Sequence, residues 1–274
     1  MKKRSSHTVP ERIICIIVLL IVILPFIILV SSAFRRDAET IRWPPSVFPK
    51  TPTLENFQKV WKRIPLLQYI ENTVIFAVSV ALGSSLLDSM AGYAFARMRF
   101  KGRKALFRIF LIAMMIPYQI VMIPLYIESK FLGILNTYAG LILPRIASAY
   151  GVYFMKSFFT GLPKELEYSA RVDGLNEFGI FWQIMFPLCR AAYLTLSIFI
   201  LTSNWNDMLY PMMQTSATKM RTLPAGIAMF VGENAREIGA AMAATLISVL
   251  PILVLYTFLQ KYFVEGIALS GLKE

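Results

Sequence analysis

Residues 161–192 read GLPKELEYSARVDGLNEFGIFWQIMFPLCRAA. This stretch decides the architecture: Lys164, Glu165, Glu167, Arg171, Asp173 and Glu177 forbid burial in lipid, while uncharged runs lie on both sides. Pro163 suits the first turn of a helix, and Glu165 and Glu167 fall where the helix dipole favours acids. Leu166 and Ala170 lie four apart on one face, and Gly174 is placed to end the helix in a left-handed cap. Asn176 then caps a second helix bearing Phe178, Phe181, Trp182 and Met185, stopped at Pro187. The segment reads as a short helix, a glycine turn and a second helix projecting from a bundle.

Working outward, residues 13–34 form an uncharged run of 22, preceded by Met1-Lys2-Lys3-Arg4 and followed by Arg35-Arg36. At ~1.5 Å per residue such a helix rises about 33 Å, enough for a hydrocarbon core of about 30 Å. Five more spans are expected, at about 72–96, 109–127, 138–155, 191–213 and 240–260. Residues 35–71 are polar, with turn-makers at Trp43-Pro44-Pro45, Pro49 and Pro52. Within them 53–63 reads as a short amphipathic helix, with Leu54, Phe57, Val60 and Trp61 at helical spacing. Internal Pro117 and Pro124 are tolerable in a span where neighbours satisfy the freed carbonyls.

Composition agrees. Of 274 residues 57% are hydrophobic and 16% charged, against about 45–50% and about 25% in soluble domains. The net charge of +12 is dispersed between apolar runs, so membrane topology explains it better than nucleic acid does. Arg97, Arg99, Lys101, Arg103 and Lys104 follow the second span, whereas 128–137 carries Lys130 alone among bases. By the positive-inside rule both termini, the loop after span two and residues 156–190 face the cytoplasm. The sole histidine, His7, excludes a histidine metal site or a Ser-His-Asp triad, and Cys15 and Cys189 make no disulfide framework. No phosphate-cradling G-x-x-x-x-G-K-[ST] occurs, so any ATP driving the protein is bound by another subunit.

The 161–192 segment resembles the EAA loop of ABC importer permeases, whose pattern is E-A-A, three residues, Gly, nine residues, I-x-L-P. Ala170, Gly174, Ile184 and Pro187 match, with Asp173-Gly174 as the usual D-G; Tyr168 stands at the glutamate, Ser169 at the first alanine and Phe186 at the leucine. Asn72-Thr73, GYAFARMRFKGR (92–103), IPLY (123–126), LGILNTYAGLILP (132–144), NWNDMLYP (204–211) and the tail VEGIALSGLKE are similar to the maltose-type carbohydrate permeases, specifically the six-span partner of each pair.

That resemblance implies an all-α membrane protein with six transmembrane helices, the type I importer permease fold and a cytoplasmic coupling helix. It implies three regions: residues 1–69 with the first span and an extracytoplasmic linker, a transmembrane domain over 70–260 with its coupling loop at about 161–190, and a cytoplasmic tail over 261–274. The implied partners are a second homologous permease, two ATP-binding subunits that hold ATP and Mg, an extracytoplasmic solute-binding protein and a sugar. This chain would hold no cofactor and no metal, catalyse nothing, and reside in a bacterial-type inner membrane. Glu165, Glu167, Tyr168, Ser169, Ala170, Asp173, Gly174, Ile184 and Pro187 would form the ATPase-coupling surface. Other solutes, such as glycerol phosphate or a peptide, remain alternatives, as does a secondary transporter.

Charges deep in spans are costly, roughly 2.5–3.5 kcal/mol at mid-membrane. Asp88 therefore either lines a solute path or hydrogen-bonds a neighbouring helix, the second carrying more weight; pairing with Arg145 is one option. Asn204, Trp205, Asn206 and Asp207 either meet sugar hydroxyls or fix helix packing. Glu233, Asn234 and Arg236 are candidates for contact with the binding protein.

Overall fold

The structure, a computed structural model, describes residues 9–36, 39, 48–234 and 237–271. Met1-Lys2-Lys3-Arg4, His7, Trp43-Pro44-Pro45 and Arg236 lie outside the described residues. Among those described, every regular element is helical. The chain divides into two units, residues 66–226 with 252–274, and residues 1–65 with 227–251.

The larger unit is built on α3 (Leu66–Arg97). Among its buried residues is a central stretch of small and polar ones, Ser84, Ser85, Asp88, Ser89 and Gly92, which lets another backbone come close where no hydrophobic effect drives helices together. That neighbour is α7 (Ala149–Thr160). A Cβ added at Gly92 would lie 2.8 Å from the Lys156 nitrogen and from the Met155 Cβ, so only glycine fits the crossing. The register runs Asp88 with Ser148, Gly92 with Met155 and Arg97 with Phe159, so α3 and α7 are parallel. On another side α10 (Arg190–Trp205) and α11 (Leu209–Gln214) run antiparallel to α3, with ring pairs Phe76–Tyr210 and Tyr93–Phe181 at opposite ends.

Three expected spans are broken. The stretch 109–127 is two helices, α4 (Arg103–Met114) and α5 (Tyr118–Phe131), bent by 102°. The cause is Pro117, which has no N–H for the helical ladder and pushes its predecessor toward extended backbone; it becomes the N-cap of α5. The stretch 138–155 is divided at Pro144 into α6 (Tyr138–Ile142), a 3₁₀ turn (Leu143–Arg145) and α7. The stretch 191–213 parts between α10 and α11, and α9 (Glu177–Leu188) meets α10 at an 80° bend. Among the described residues, Arg12–Ala33 and Leu66–Arg97 are each long and apolar enough to cross a membrane alone; α4–α5 and α9–α10 qualify only as bent pairs.

The smaller unit holds α1 (Val9–Ala33), exposed along most of its length, and α2 (Glu55–Arg63), which matches the amphipathic reading of 53–63. The buried Asn56 amide donates to Ala33 O at 2.9 Å and Arg35 O at 2.7 Å, closing off the end of α1. Glu237 pairs with Arg63 at 2.9 Å and Lys59 at 3.6 Å. Two elements remain: α12 (Leu223–Glu233) and α13 (Ile238–Gly271). The latter continues without a break into the expected tail, as far as Gly271.

Candidate functional site

The 161–192 segment folds as a helical hairpin, and its turn chemistry follows the sequence closely. The first helix, α8 (Glu165–Val172), carries Glu165 and Glu167 in its first turn. Its N-cap is Lys164, so Pro163 lies just ahead of the helix rather than inside it. At the other end Gly174 N bonds Arg171 O at 3.1 Å and Leu175 N bonds Ala170 O at 3.0 Å, a paired 5→2 and 6→1 closure. That closure needs Gly174 at φ +83°, a conformation costly for any residue with a Cβ. Asn176 Oδ1 accepts Gly179 N at 2.8 Å and starts α9. Pro187 does not stop this helix: α9 reaches Leu188, and the register loosens into a π turn at Phe181–Met185 just ahead of the proline.

The hairpin is fastened to α3 and α7 through buried charge. Arg97, at the end of α3, donates from Nε to Phe159 O at 2.9 Å and from Nη2 to Phe159 O and Leu162 O, the last carbonyls of and just after α7. The same Nε lies 3.1 Å from Glu167 Oε1, and both side chains are about 5% exposed (4% and 5%). Arg171 bridges Glu167 at 3.4 Å and Glu177 at 2.8 Å, and Tyr93 Oη donates to Glu177 at 2.8 Å. Glu177 pushes the Arg171 guanidinium further above its already high range through their hydrogen bond. Beneath, Ala170 packs into an apolar cluster with Tyr93, Met155, Phe159, Ile180 and Phe181.

The sequence-derived coupling residues therefore divide. Glu167 and Ala170 point inward; Glu165, Tyr168, Ser169, Asp173 and Gly174 are exposed, as is Pro187, while Ile184 is half-buried. Val172, 87% exposed, joins Tyr168 one turn away as an outward pair that the sequence reading did not single out. It also missed Arg97, Tyr93 and Glu177 as a network. The available signal was the basic run at 92–103, read only for topology and likeness.

The mid-span polar residues divide too. Asp88 is fully buried and accepts Ser148 N, Ser148 Oγ and Ser84 Oγ, each at 2.9 Å, while Ser148 Oγ caps Gly151 N. It anchors the start of α7, which is the alternative of bonding to a neighbouring helix that carried more weight in the sequence. Its pairing with Arg145 is not found. Arg145 instead pairs with Asp207, and its guanidinium lies 4.4 Å and 4.6 Å from the ring centroids of Tyr118 and Tyr210. Asp207 also accepts Tyr210 N at 3.1 Å. Trp205 is buried in packing and Asn206, exposed, bonds Thr202 O at 3.0 Å. Asn204 alone of that quartet faces a cavity, of about 480 Å³, together with Ser84, Tyr118, Arg145, Ser148 and Ser203. Its amide nitrogen bonds Ile200 O at 2.8 Å, and its buried Oδ1 has no hydrogen-bond partner among the described residues.

Of the proposed binding-protein contacts, Glu233 is exposed and Asn234 Oδ1 accepts Arg63 at 2.8 Å; Arg236 lies outside the described residues. Among the described residues no group of three or more His, Cys, Asp or Glu is arranged to hold a metal ion.

Comparison with known proteins gives a consistent picture. The family model described as "Binding-protein-dependent transport system inner membrane component" matches residues 88–268. The arabinooligosaccharides transport system permease protein AraQ of Halalkalibacterium halodurans is 34% identical over 256 residues, 92% of each chain. The melibiose/raffinose/stachyose import permease protein MelC of Bacillus subtilis is 32% identical, covering 98% of this chain and 99% of MelC. In structure, a chain of a bacterial ABC transporter that imports the acidic polysaccharide alginate superposes with a TM-score of 0.79 at 21% identity, over 94% of this chain and 99% of that one.

Proposed function

The chain belongs to the family of binding-protein-dependent transport system inner membrane components, and from that premise we propose how it works as the permease subunit of an ABC importer for sugars or oligosaccharides. It is a multi-pass inner-membrane component and has no catalytic role of its own. The solute class follows from relatives of about 30% identity and full coverage whose names specify arabinooligosaccharides, melibiose, raffinose, stachyose and lactose. Glycerol phosphate and peptides find no support among them.

In this reading six spans cross the membrane, three of them bent, with both termini in the cytoplasm. A second, homologous permease completes the path, two partner ATPase subunits bind ATP and Mg, and a solute-binding protein delivers sugar from outside. The α8–α9 hairpin docks on an ATPase subunit through Glu165, Tyr168, Ser169, Val172 and Asp173. Glu167 plays a different part: buried against Arg97, it passes the motion of α8 into α3 and α7. The single observation carrying this is that buried ion pair, because coupling needs a rigid lever whose contacts differ between two states. On the solute side, the cavity at Asn204 is the place where sugar hydroxyls meet this chain. Arg145 is already neutralised by Asp207 there, which suits a neutral sugar.

The test is reconstitution with the neighbouring ATPase, sister permease and binding protein in proteoliposomes. ATP-dependent uptake of a neutral oligosaccharide, and crosslinking of Tyr168→Cys to the ATPase, are expected. Uptake by the isolated chain without ATP, or a hairpin labelled from outside the cell, would overturn the reading.

A further inference from the structure

Beside the hairpin lies a cavity of about 770 Å³ that shares Tyr168, Arg97 and Glu167 with the proposed coupling site but adds Arg99, Arg103 and Lys164, to which the transport mechanism gives no part. Its walls come from the end of α3, the turn into α4 and the starts of α8 and α9. Five cations line it, Arg97, Arg99, Arg103, Lys164 and Arg171, against two carboxylates, Glu167 and Glu177, so the cations are in excess. Both carboxylates are already engaged. Glu167 lies against Arg97 and Arg171, and Glu177 takes Arg171 and Tyr93. The remaining excess therefore sits on Arg99, Arg103 and Lys164. Arg103 donates to Met98 O at 2.8 Å, which fixes its side chain without cancelling its charge.

Three uncompensated cations converging on one concave space repel each other, and low-dielectric walls concentrate their field. At about 30 Å³ per water the space holds roughly 25 waters, far more than a simple halide requires. Guanidinium groups match phosphate oxygens in geometry as well as charge. Tyr168, also on the wall, adds a hydroxyl that donates or accepts. Away from Arg103 the exposed side chains of Leu106, Ile109 and Ile112 continue along α4, which buries none of its residues in this chain. A basic recess that opens onto an exposed apolar helix suits a headgroup with chains attached.

We infer that this recess binds a phosphate ester, the anionic headgroup of a phospholipid, and so places a lipid-sensing contact against Tyr168 on the hairpin. The inference is independent of which solute the transporter carries. It goes beyond the general bias of basic residues toward one membrane face, because it names a cavity and three side chains.

The probes are short-chain phosphatidylglycerol, phosphatidylcholine of the same chain length, glycerol 3-phosphate and inorganic phosphate, each added to the full chain in uncharged detergent. The readout is the thermal unfolding midpoint against ligand concentration. The control is the double variant Arg99→Gln, Lys164→Gln; both residues are exposed and neither makes an ion pair described here, so the fold should persist. Phosphatidylglycerol should raise the midpoint and phosphatidylcholine should not, with half-saturation in the variant weaker by roughly tenfold or more. An equal, variant-sensitive rise with glycerol 3-phosphate would keep the phosphate-ester site but give it a soluble ligand, overturning the lipid assignment. No rise with any probe, or a rise that the variant leaves unchanged, would overturn the site altogether.

Discussion

Replacing Arg97 with methionine is the sharpest single perturbation of the hairpin's attachment. The side chain is 4% exposed, donates to the carbonyls of Phe159 and Leu162 and forms an ion pair with Glu167. Removing one partner of a buried ion pair costs about 3–5 kcal/mol, because the other charge stays buried. Here Arg171, 3.4 Å from Glu167, offers partial compensation, which argues for the lower part of that range. The two carbonyls add about 1 kcal/mol each unless water reaches them. Arg97→Met should therefore cost ~5–6 kcal/mol.

Glu167→Leu should cost less, ~2–3 kcal/mol, since Arg97 keeps its carbonyl acceptors. The double variant should be more stable than Arg97→Met alone, with a coupling of about 1–3 kcal/mol, because no carboxylate is left stranded. Equilibrium denaturant unfolding of the full chain in mixed micelles, followed by tryptophan fluorescence, measures all three. In the assembled transporter, variants that remain folded should hydrolyse ATP while sugar uptake falls out of proportion. A double variant no more stable than Arg97→Met, together with unchanged uptake per ATP in either single variant, would refute the lever.

Three other outcomes follow from local geometry. At Gly174, φ +83° with no atom within 4 Å of an added Cβ makes the cost one of backbone alone; Gly174→Val should lose uptake while inserting normally, whereas Gly174→Asn, tolerant of left-handed backbone, should retain most of it in a cell uptake assay. Gly151→Ala should sharply reduce folded protein by size-exclusion yield, because its Cβ would overlap Asp88 Oδ2, while Asp88→Asn, which keeps the shape and the acceptor, should transport the same sugars as the parent. Asn136, at φ +58°, accepts Ser216 N at 2.8 Å and Ala217 N at 2.7 Å; Asn136→Ala should destabilise by about 2–4 kcal/mol in the same unfolding assay, and Asn136→Gly should recover only the backbone part.

What was legible in the sequence was local. The Gly174 turn, the Asn176 cap and the amphipathic α2 each depend on residues within one or two turns of each other, and each is found where expected. The apolar runs also located apolar helices, two of them long enough to cross a membrane alone and two more pairs that qualify only when bent. Their breaks were less legible: a proline in an apolar run is compatible with a kinked span or a full bend, and only the neighbours of Pro117 decide for a 102° turn. Partners distant in sequence were illegible for the same reason. Asp88, Arg145 and Asp207 admit several pairings on paper, and the parallel register of α3 with α7 sets Asp88 against Ser148, leaving Arg145 to Asp207. Glu167 looked like a surface acid because its neighbours Glu165 and Tyr168 are exposed. Its burial follows from helical phase with Ala170, three residues on and also buried.

The stiffness of this attachment comes from spacing. Asp88, Gly92 and Arg97 meet α7 at three successive levels of α3, over about 13 Å at ~1.5 Å per residue. Each engages α7 differently: a carboxylate on its first N–H groups, a bare Cα at its middle and a guanidinium on its last carbonyls. Sliding α7 along α3 by even one residue would break all three together, so the two helices move as one body. The hairpin grips that body through Arg97, the residue that also closes the end of α7. In the proposed mechanism a push on the exposed face of α8 would therefore reach α3 and α7 together, with Arg97 as the buried charged link. Loss of that side chain removes the buried charge link while the Tyr93–Glu177 hydrogen bond and the apolar cluster under Ala170 remain, and Gly174, Asn176 and the Arg171–Glu177 pair hold the hairpin's own shape. A hairpin so loosened should hydrolyse with reduced import. Loss of the Gly174 turn works the other way, deforming the hairpin while the bundle stays intact, so the two classes of variant separate docking from transmission.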